Sequence, residues 1–358
     1  MIRVHGCEQA QGRRGGSFAP LPRVYPVVGS LREERPNRRE KGSRMSAVTY
    51  VESIVVGALQ GVSELFPVSS LGHSILLPAV IGGSWQRDLS IGEDSPYLAV
   101  LVAMHVATAL ALVLFFWRDW VRIIGGLFSS IRHREVRTAD QRLAWLLILA
   151  TIPVGIAGLL LESVLRDFLG KPVPSAIFLI LNGGVLYAAE RFSRAAPKAG
   201  ISGRTTEDTV DFSAEDTLVM RAITVEEATD ARLSKLSVKE AVLIGSAQIL
   251  ALLPGISRSG ITMVAGLRRG LGHQDSARFA WLLATPVILA AGVLKLPSLF
   301  TPENSPSLGP ALAGSLVAGI ASYISVRFLT KYFETRTLTP FAIYCVIAGI
   351  ASLLVFSF

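Results

Sequence analysis

The chain has 358 residues, 51% of them hydrophobic and only 17% charged, against about 25% charged in an ordinary soluble domain. That balance excludes intrinsic disorder and a nucleic-acid module over most of the chain and points to a polytopic membrane protein, while two cysteines, Cys7 and Cys345, exclude a disulfide framework or a cysteine-rich metal site. The net charge of +8 says little about a partner, because residues 1–44 hold ten Lys/Arg against four Asp/Glu and leave 25 against 23 for the rest.

Residues 1–45 read as a disordered basic extension. They have no helical period, four prolines (Pro20, Pro22, Pro26 and Pro36) and no apolar run long enough for a signal-peptide core. Met45 opens MSAVTYVESIVVGALQG, which looks like a natural start, so the tail is expected to come from an upstream start codon. An apolar region from Glu52 to Ile81 follows, interrupted by SELFPVSSLGH. Three uninterrupted apolar stretches come next, Tyr97 to Trp117, Leu143 to Leu161 and Ser175 to Ala189, then a polar connection over 193–237. A second broken region, Val238 to Leu267, is interrupted by LPGISRSGIT and precedes the stretches Phe279 to Leu294, Pro310 to Val326 and Leu338 to Phe358. At ~1.5 Å per residue the longest stretches cross roughly 30 Å of hydrocarbon, and the shorter ones need flanking residues to finish. The broken regions contain Pro67 and Pro254 and cannot each be one helix; each is expected to be a helix, a polar break and a second helix that enters and leaves on one face.

Basic residues orient the spans. The loop from Arg118 to Arg142 carries six arginines, and the short loop near the C-terminus carries Arg327, Lys331 and Arg336, so both are expected in the cytoplasm, with 193–237. Residues 84–96 are net acidic and 299–309 lack Lys and Arg, so both are expected outside, as is the C-terminus. At a fixed offset of 188, Gly57 matches Gly245, Gln60 matches Gln248, Leu65 matches Leu253 and Ser69 matches Ser257. Chance produces such matches in a chain rich in Gly, Leu and Ser, but the topology supports the repeat independently. Three spans follow each copy, and three is odd, so the second copy inserts upside down. The predicted fold class is an all-α polytopic membrane protein with six transmembrane helices and two re-entrant helical hairpins in an inverted repeat. Its halves are 46–192 and 238–358.

Irregular backbone survives at membrane depth only where protein buries it or water reaches it, which makes the two breaks the first places to look for a site. Gln60 and Glu64 are four apart on one helix face, Pro67 ends that helix, and Ser69 or Ser70 caps the next before His73. The second break offers Ser257, Arg258, Ser259 and Thr262 after Pro254 and Gly255. A helix beginning there would aim free N–H groups, hydroxyls and a guanidinium fork at one point, the way an anionic phosphate is held. Plainer readings compete. Ser69 and Ser259 are as well explained by bonds to backbone, Glu64 would serve merely as the ion partner of Arg258, and His73 would be a satisfied buried histidine were it not in a polar break. An unpaired Arg258 in an apolar stretch costs at least about 2.5 kcal/mol, which makes it the hardest to dismiss. His105 reads as structural or cavity-lining, and Glu162 and Glu190, at span ends, as solvated.

GALQGVSELFPVSSLGHSILLP and LALLPGISRSGITMVAG closely resemble the two signature regions of the undecaprenyl-diphosphatase family, the membrane enzymes linked to bacitracin resistance. FFWRDW and TPFAIY resemble it as well, so the likeness runs from about residue 46 to 358. The family's first motif has Glu or Gln, three residues, then Glu, here Gln60 and Glu64; Ser70 and His73 fall on its Ser and His, and Ser257, Arg258 and Thr262 on its second motif. The tail and the length of 193–237 depart from the family pattern, away from the motifs.

The resemblance implies hydrolysis of undecaprenyl diphosphate to the monophosphate in the bacterial plasma membrane, with the site facing outward. This recycles the lipid carrier for peptidoglycan and confers bacitracin resistance. Glu64, Ser70, His73 and Arg258 would be catalytic and Gln60, Ser257 and Thr262 substrate-binding. The nucleophile is Ser70 or, second, a directly activated water, with His73 or Glu64 as base. A divalent cation, magnesium or calcium, is implied too; Glu64 and Gln60 offer it one carboxylate and one amide, so phosphate and water would supply the rest. The expected partners are a polyprenyl diphosphate lipid and the membrane, with no nucleic acid; self-association into a homo-oligomer is compatible with the sequence. A transporter or flippase of a polyprenyl phosphate is the competing class, since broken helices in inverted repeats also serve transport, and a non-catalytic lipid-binding scaffold is a third.

Overall fold

The computed structural model describes residues 48–91, 95–195, 225–302 and 304–357, without the side chains of 162–169, 194–195 and 225–228. The basic extension, most of the 193–237 connection and the Glu162 side chain lie outside them. The regular secondary structure of the described residues is all helical. Six helices are long and apolar enough to cross a membrane: α4 (Pro96–Phe115), α6 (Ala139–Leu169), α7 (Pro172–Ala195), α11 (His273–Lys295), α12 (Leu308–Thr335) and α13 (Thr339–Ser357). Their outward faces stay apolar, with Leu159, Val293, Leu312 and Leu316 among the most exposed side chains, as a lipid-facing surface requires.

Each broken region contains the expected interruption. In the first, α1 (Tyr50–Ser63) stops before Glu64 and α2 (Ser70–Ile81) starts after it, followed by the short α3 (Gly83–Asp88). In the second, α9 (Val238–Ser246) runs into a 3-10 turn over Ala247–Leu252, and α10 (Arg258–Arg268) resumes beyond Pro254. The caps explain these boundaries. Thr49 and Glu52 close a capping box on α1, and Ser237 and Glu240 close one on α9. Ser69 then caps α2 through Gly72 N–H, and Ser257 caps α10 through Gly260 N–H. A Cβ on Gly57 would lie 2.2 Å from Gly314 O, and one on Gly245 would lie 2.0 Å from Ala150 O, so hydrogen at both positions lets α1 approach α12 and α9 approach α6.

The basic stretch after α4 is not a loop. Trp117–His133 forms α5, with Trp117, Val121, Ile124, Phe128 and Ile131 exposed along one side at helical spacing and Arg118, Arg122 and Arg132 interspersed. Such a helix suits a membrane interface. The end of the polar connection, α8 (Val225–Leu233), is fastened to the same end of the molecule by charge. Asp230 takes Arg278 at 2.9 Å and Arg122 at 2.8 Å, Asp119 takes Arg278 at 3.0 Å, and Arg232 reaches Asp275 at 2.7 Å. Glu190 is not solvated as its span-end position suggested: it is 3% exposed and accepts from His273 Nε2 at 2.8 Å and the Leu338 amide at 3.3 Å. A carboxylate at a span end thus serves to tie α7 to α11 and α13.

Candidate active site

The two breaks meet. Ser69 sits at φ 70, a left-handed conformation that is costly for a non-glycine residue and persists where the surroundings over-determine it. Its Oγ accepts from Gly72 N–H in its own helix and from Gly255 N–H in the other break, at 3.3 and 3.2 Å. Gly255, at φ 111, lies so close to α7 that a Cβ would fall 2.4 Å from Ser175 O. On the opposite strand of the junction, Ser257 and Ser259 hydroxyls donate to Phe66 O at 3.5 and 3.1 Å. Asn182 of α7 clasps both breaks: its Nδ2 donates to Pro67 O at 3.1 Å and its Oδ1 accepts from Ser257 N–H at 3.0 Å. Trp281 Nε1 adds a longer bond to Leu65 O.

Glu64 stands at the centre of the polar cluster, 7% exposed. Its Oε2 accepts from Ser70 Oγ at 2.5 Å and from Gln60 Nε2 at 3.2 Å, and lies 3.3 Å from His105 Nε2. His105 Nδ1 is 2.8 Å from Leu101 O, so each nitrogen of the ring faces an acceptor and the imidazole spans the α4 backbone and the Glu64 carboxylate. Arg258 opens α10 with its Nη1 4.0 Å from Glu64 Oε1, near enough to pair in charge but too far for a hydrogen bond. Gln60, Glu64, Ser70 and Arg258 are therefore brought together, and His105, read from sequence as structural, belongs with them.

The remaining candidates sit around this cluster. His73, 9% exposed, turns away from Glu64: Nδ1 donates to Ser69 O at 2.7 Å and Nε2 accepts from Tyr344 OH at 2.8 Å. Ser257 caps α10, and Thr262, one turn further on, bonds back to Arg258 O at 2.8 Å. Asn182, Tyr344, Trp281 and the His105 contact escaped the sequence reading, because each comes from a different span with nothing local to mark it; only TPFAIY, which contains Tyr344, carried a signal.

Two buried polar atoms in the cluster lack a hydrogen-bond partner: Gln60 Oε1 and Arg258 Nη1. An unpaired buried group costs about 1–3 kcal/mol, more when charged, so an acceptor-rich, cation-bearing ligand placed between them would recover what folding leaves unmet. Among the described residues no three His, Cys, Asp or Glu side chains gather as a metal cage. Glu64 Oε1, which takes no hydrogen bond, and Gln60 Oε1 nevertheless fit as two oxygens for a hard cation that draws its other ligands from phosphate and water.

The model of the bacitracin resistance protein BacA family matches residues 53–351. The undecaprenyl-diphosphatase of Mycolicibacterium paratuberculosis is 59% identical over 308 residues, covering 86% of this chain and 97% of the relative. The protein of the same name from Mycobacterium avium is 58% identical with the same coverage, and undecaprenyl-diphosphatase 2 of Frankia alni is 50% identical over 333 residues, 85% of this chain and 97% of the relative. The matched span contains both breaks and every residue of the cluster, and the chain belongs to the bacitracin resistance protein BacA family.

Proposed function

We propose that the chain hydrolyses undecaprenyl diphosphate to undecaprenyl phosphate and inorganic phosphate from within the plasma membrane, returning a lipid carrier to cell-wall synthesis and lowering sensitivity to bacitracin. The observation that carries the reading on this chain is the pair of unmet polar atoms, Gln60 Oε1 and Arg258 Nη1, flanking a Glu64–Ser70 hydrogen bond. The names and coverage of the relatives support the substrate.

The contacts favour Ser70 as nucleophile and Glu64, rather than His73, as its base. Ser70 Oγ passes its proton to Glu64 Oε2 and forms a bond to the terminal phosphorus; the bridging P–O bond breaks and undecaprenyl phosphate leaves with the electron pair. Water, deprotonated by the same carboxylate once it has released its proton, then cleaves the phosphoserine. Arg258, Ser257 and the first N–H groups of α10 hold the phosphate oxygens, the positioning on which phosphoryl transfer depends. His105 braces the carboxylate. His73 acts as a positioning residue, holding Ser69 and the start of α2 between its two hydrogen bonds. Thr262 supports Arg258 through the helix backbone. A divalent cation, when held by Glu64 and Gln60, would neutralise diphosphate charge.

Arg258→Lys keeps the charge but loses the planar fork. Phosphate release is expected to fall about ten- to hundredfold, the equivalent of about 1.4–2.7 kcal/mol, in a sample that remains monodisperse; near-native turnover would make the second break a structural element instead. A polyprenyl-phosphate transporter is the other reading compatible with broken helices. In detergent a transporter has no two compartments to act between, so multiple turnovers of inorganic phosphate from purified chain decide for the hydrolase, and their absence in folded protein decides against it.

The arrangement of α1–α2 and α9–α10 supports two re-entrant hairpins in an inverted repeat. The capping boxes of α1 and α9 stand at the same offset of 188 as the motif matches. The packing is also exchanged: α1 lies on α12 and α9 on α6, while α4 meets α11 and α7 meets α13. In this topology α5 and the end of α12 face the cytoplasm and the site opens outward. Cysteine placed at Asn304 is then labelled by an impermeant reagent added outside intact cells, and cysteine at Arg134 is labelled only after permeabilisation. Labelling of position 134 from outside would reverse the assignment.

A further inference from the structure

The lipid-facing side of α12 is a continuous apolar stripe, Leu312, Leu316, Ile320, Ile324 and Phe328, between 53% and 70% exposed. It leads into a concavity of about 590 Å³ at the end of the helix, bounded by Ile324, Phe328, Arg327, Lys331, Tyr332 and Arg336. The three cations are exposed. Among the described residues none of them pairs with a carboxylate, in contrast to Arg122, Arg232 and Arg278. Cations at a helix C-terminus offset the macrodipole, which suits Arg336 at the C-cap of α12 but accounts neither for Arg327 and Lys331, which precede the last turn, nor for a concave aromatic wall. The wall is fixed before anything binds. Phe328 stacks on Phe66 with ring centres 6.1 Å apart, and Tyr332 packs edge-on against Phe341 while its hydroxyl bonds Thr337 O. None of Gln60, Glu64, Ser70 and Arg258 lines this concavity.

We propose that the end of α12 is a binding site for an anionic phospholipid, whose headgroup phosphate rests on Arg327, Lys331 and Arg336 and one of whose acyl chains lies along the apolar stripe. Charge selects the occupant. Unpaired cations at the membrane surface attract anionic lipids, each by roughly fivefold in affinity, and the apolar stripe directly continuous with them distinguishes a lipid from a free anion. A zwitterionic lipid carries its own ammonium to the same place and gains little. Assignment of the lipid to the cytoplasmic leaflet rests on the topology proposed above; the recognition chemistry does not.

The test is native mass spectrometry of the full-length, detergent-purified chain titrated with phosphatidylglycerol or phosphatidylcholine. The wild-type chain is expected to hold one phosphatidylglycerol at least about tenfold more tightly than phosphatidylcholine. Arg327→Gln, Lys331→Gln and Arg336→Gln together should abolish that preference, and Arg327→Lys, Lys331→Arg and Arg336→Lys together should keep it. The single Lys331→Gln, at an exposed position, should lose about fivefold. Equal preference in wild type and Lys331→Gln, or none in wild type, overturns the proposal. Displacement of phosphatidylglycerol by millimolar inorganic phosphate would overturn it too, making the site one for a free anion.

Discussion

Ser70→Ala is expected to lower phosphate release from undecaprenyl diphosphate by about 10³-fold or more, because it removes the group that attacks phosphorus. The hydroxyl is the first donor to Glu64 Oε2 and opens α2, where Ser69 and Gly72 fix its backbone. Loss of a hydroxyl that only binds phosphate costs about 1–2 kcal/mol, or roughly five- to thirtyfold. The two outcomes are well separated in a turnover assay on purified protein. A loss below about thirtyfold would reject the phosphoserine route and assign the attack to a water activated by Glu64.

Glu64→Gln is expected to lower turnover by about 10²–10⁴, the usual contribution of a positioned general base. The amide keeps the size of the side chain and still accepts from Ser70, so the fold around the breaks should survive; a retained thermal unfolding midpoint would show that it does. The same substitution removes the countercharge near Arg258, which leaves the guanidinium free for phosphate. Turnover within about fivefold of wild type would transfer the role of base to His73, against the present geometry, in which His73 is occupied by Ser69 O and Tyr344 OH.

The breaks and most of the cluster were legible in the sequence because their causes are local. Pro67 and Pro254 interrupt helices, Ser69 and Ser257 cap the next ones, and Gln60 with Glu64 share a face by spacing alone. What holds the breaks together was not legible: Asn182 lies 75 residues from Ser257 in sequence and looks like any polar residue in a span. His105 similarly has no neighbour in its own helix to hint that Glu64 faces it. The stretch after α4 was misread as a loop because its arginines dominate the composition, whereas its apolar residues return at helical spacing. Glu190 was misread for the opposite reason. A position at a span end suggests water, and only the packing of α7 against α11 and α13 shows that water is excluded.

The central claim is a division of labour: the second break holds the diphosphate and the first performs the chemistry. It is tested most directly by equilibrium binding of a non-hydrolysable methylene-diphosphonate analogue of the prenyl diphosphate to the purified full-length chain in chelator-treated buffer. Arg258→Lys should weaken binding by about tenfold or more, the worth of a charge-assisted fork, whereas Glu64→Gln, expected to turn over slowly, should bind at least as tightly as wild type. Unchanged affinity in Arg258→Lys together with lost affinity in Glu64→Gln would contradict the account.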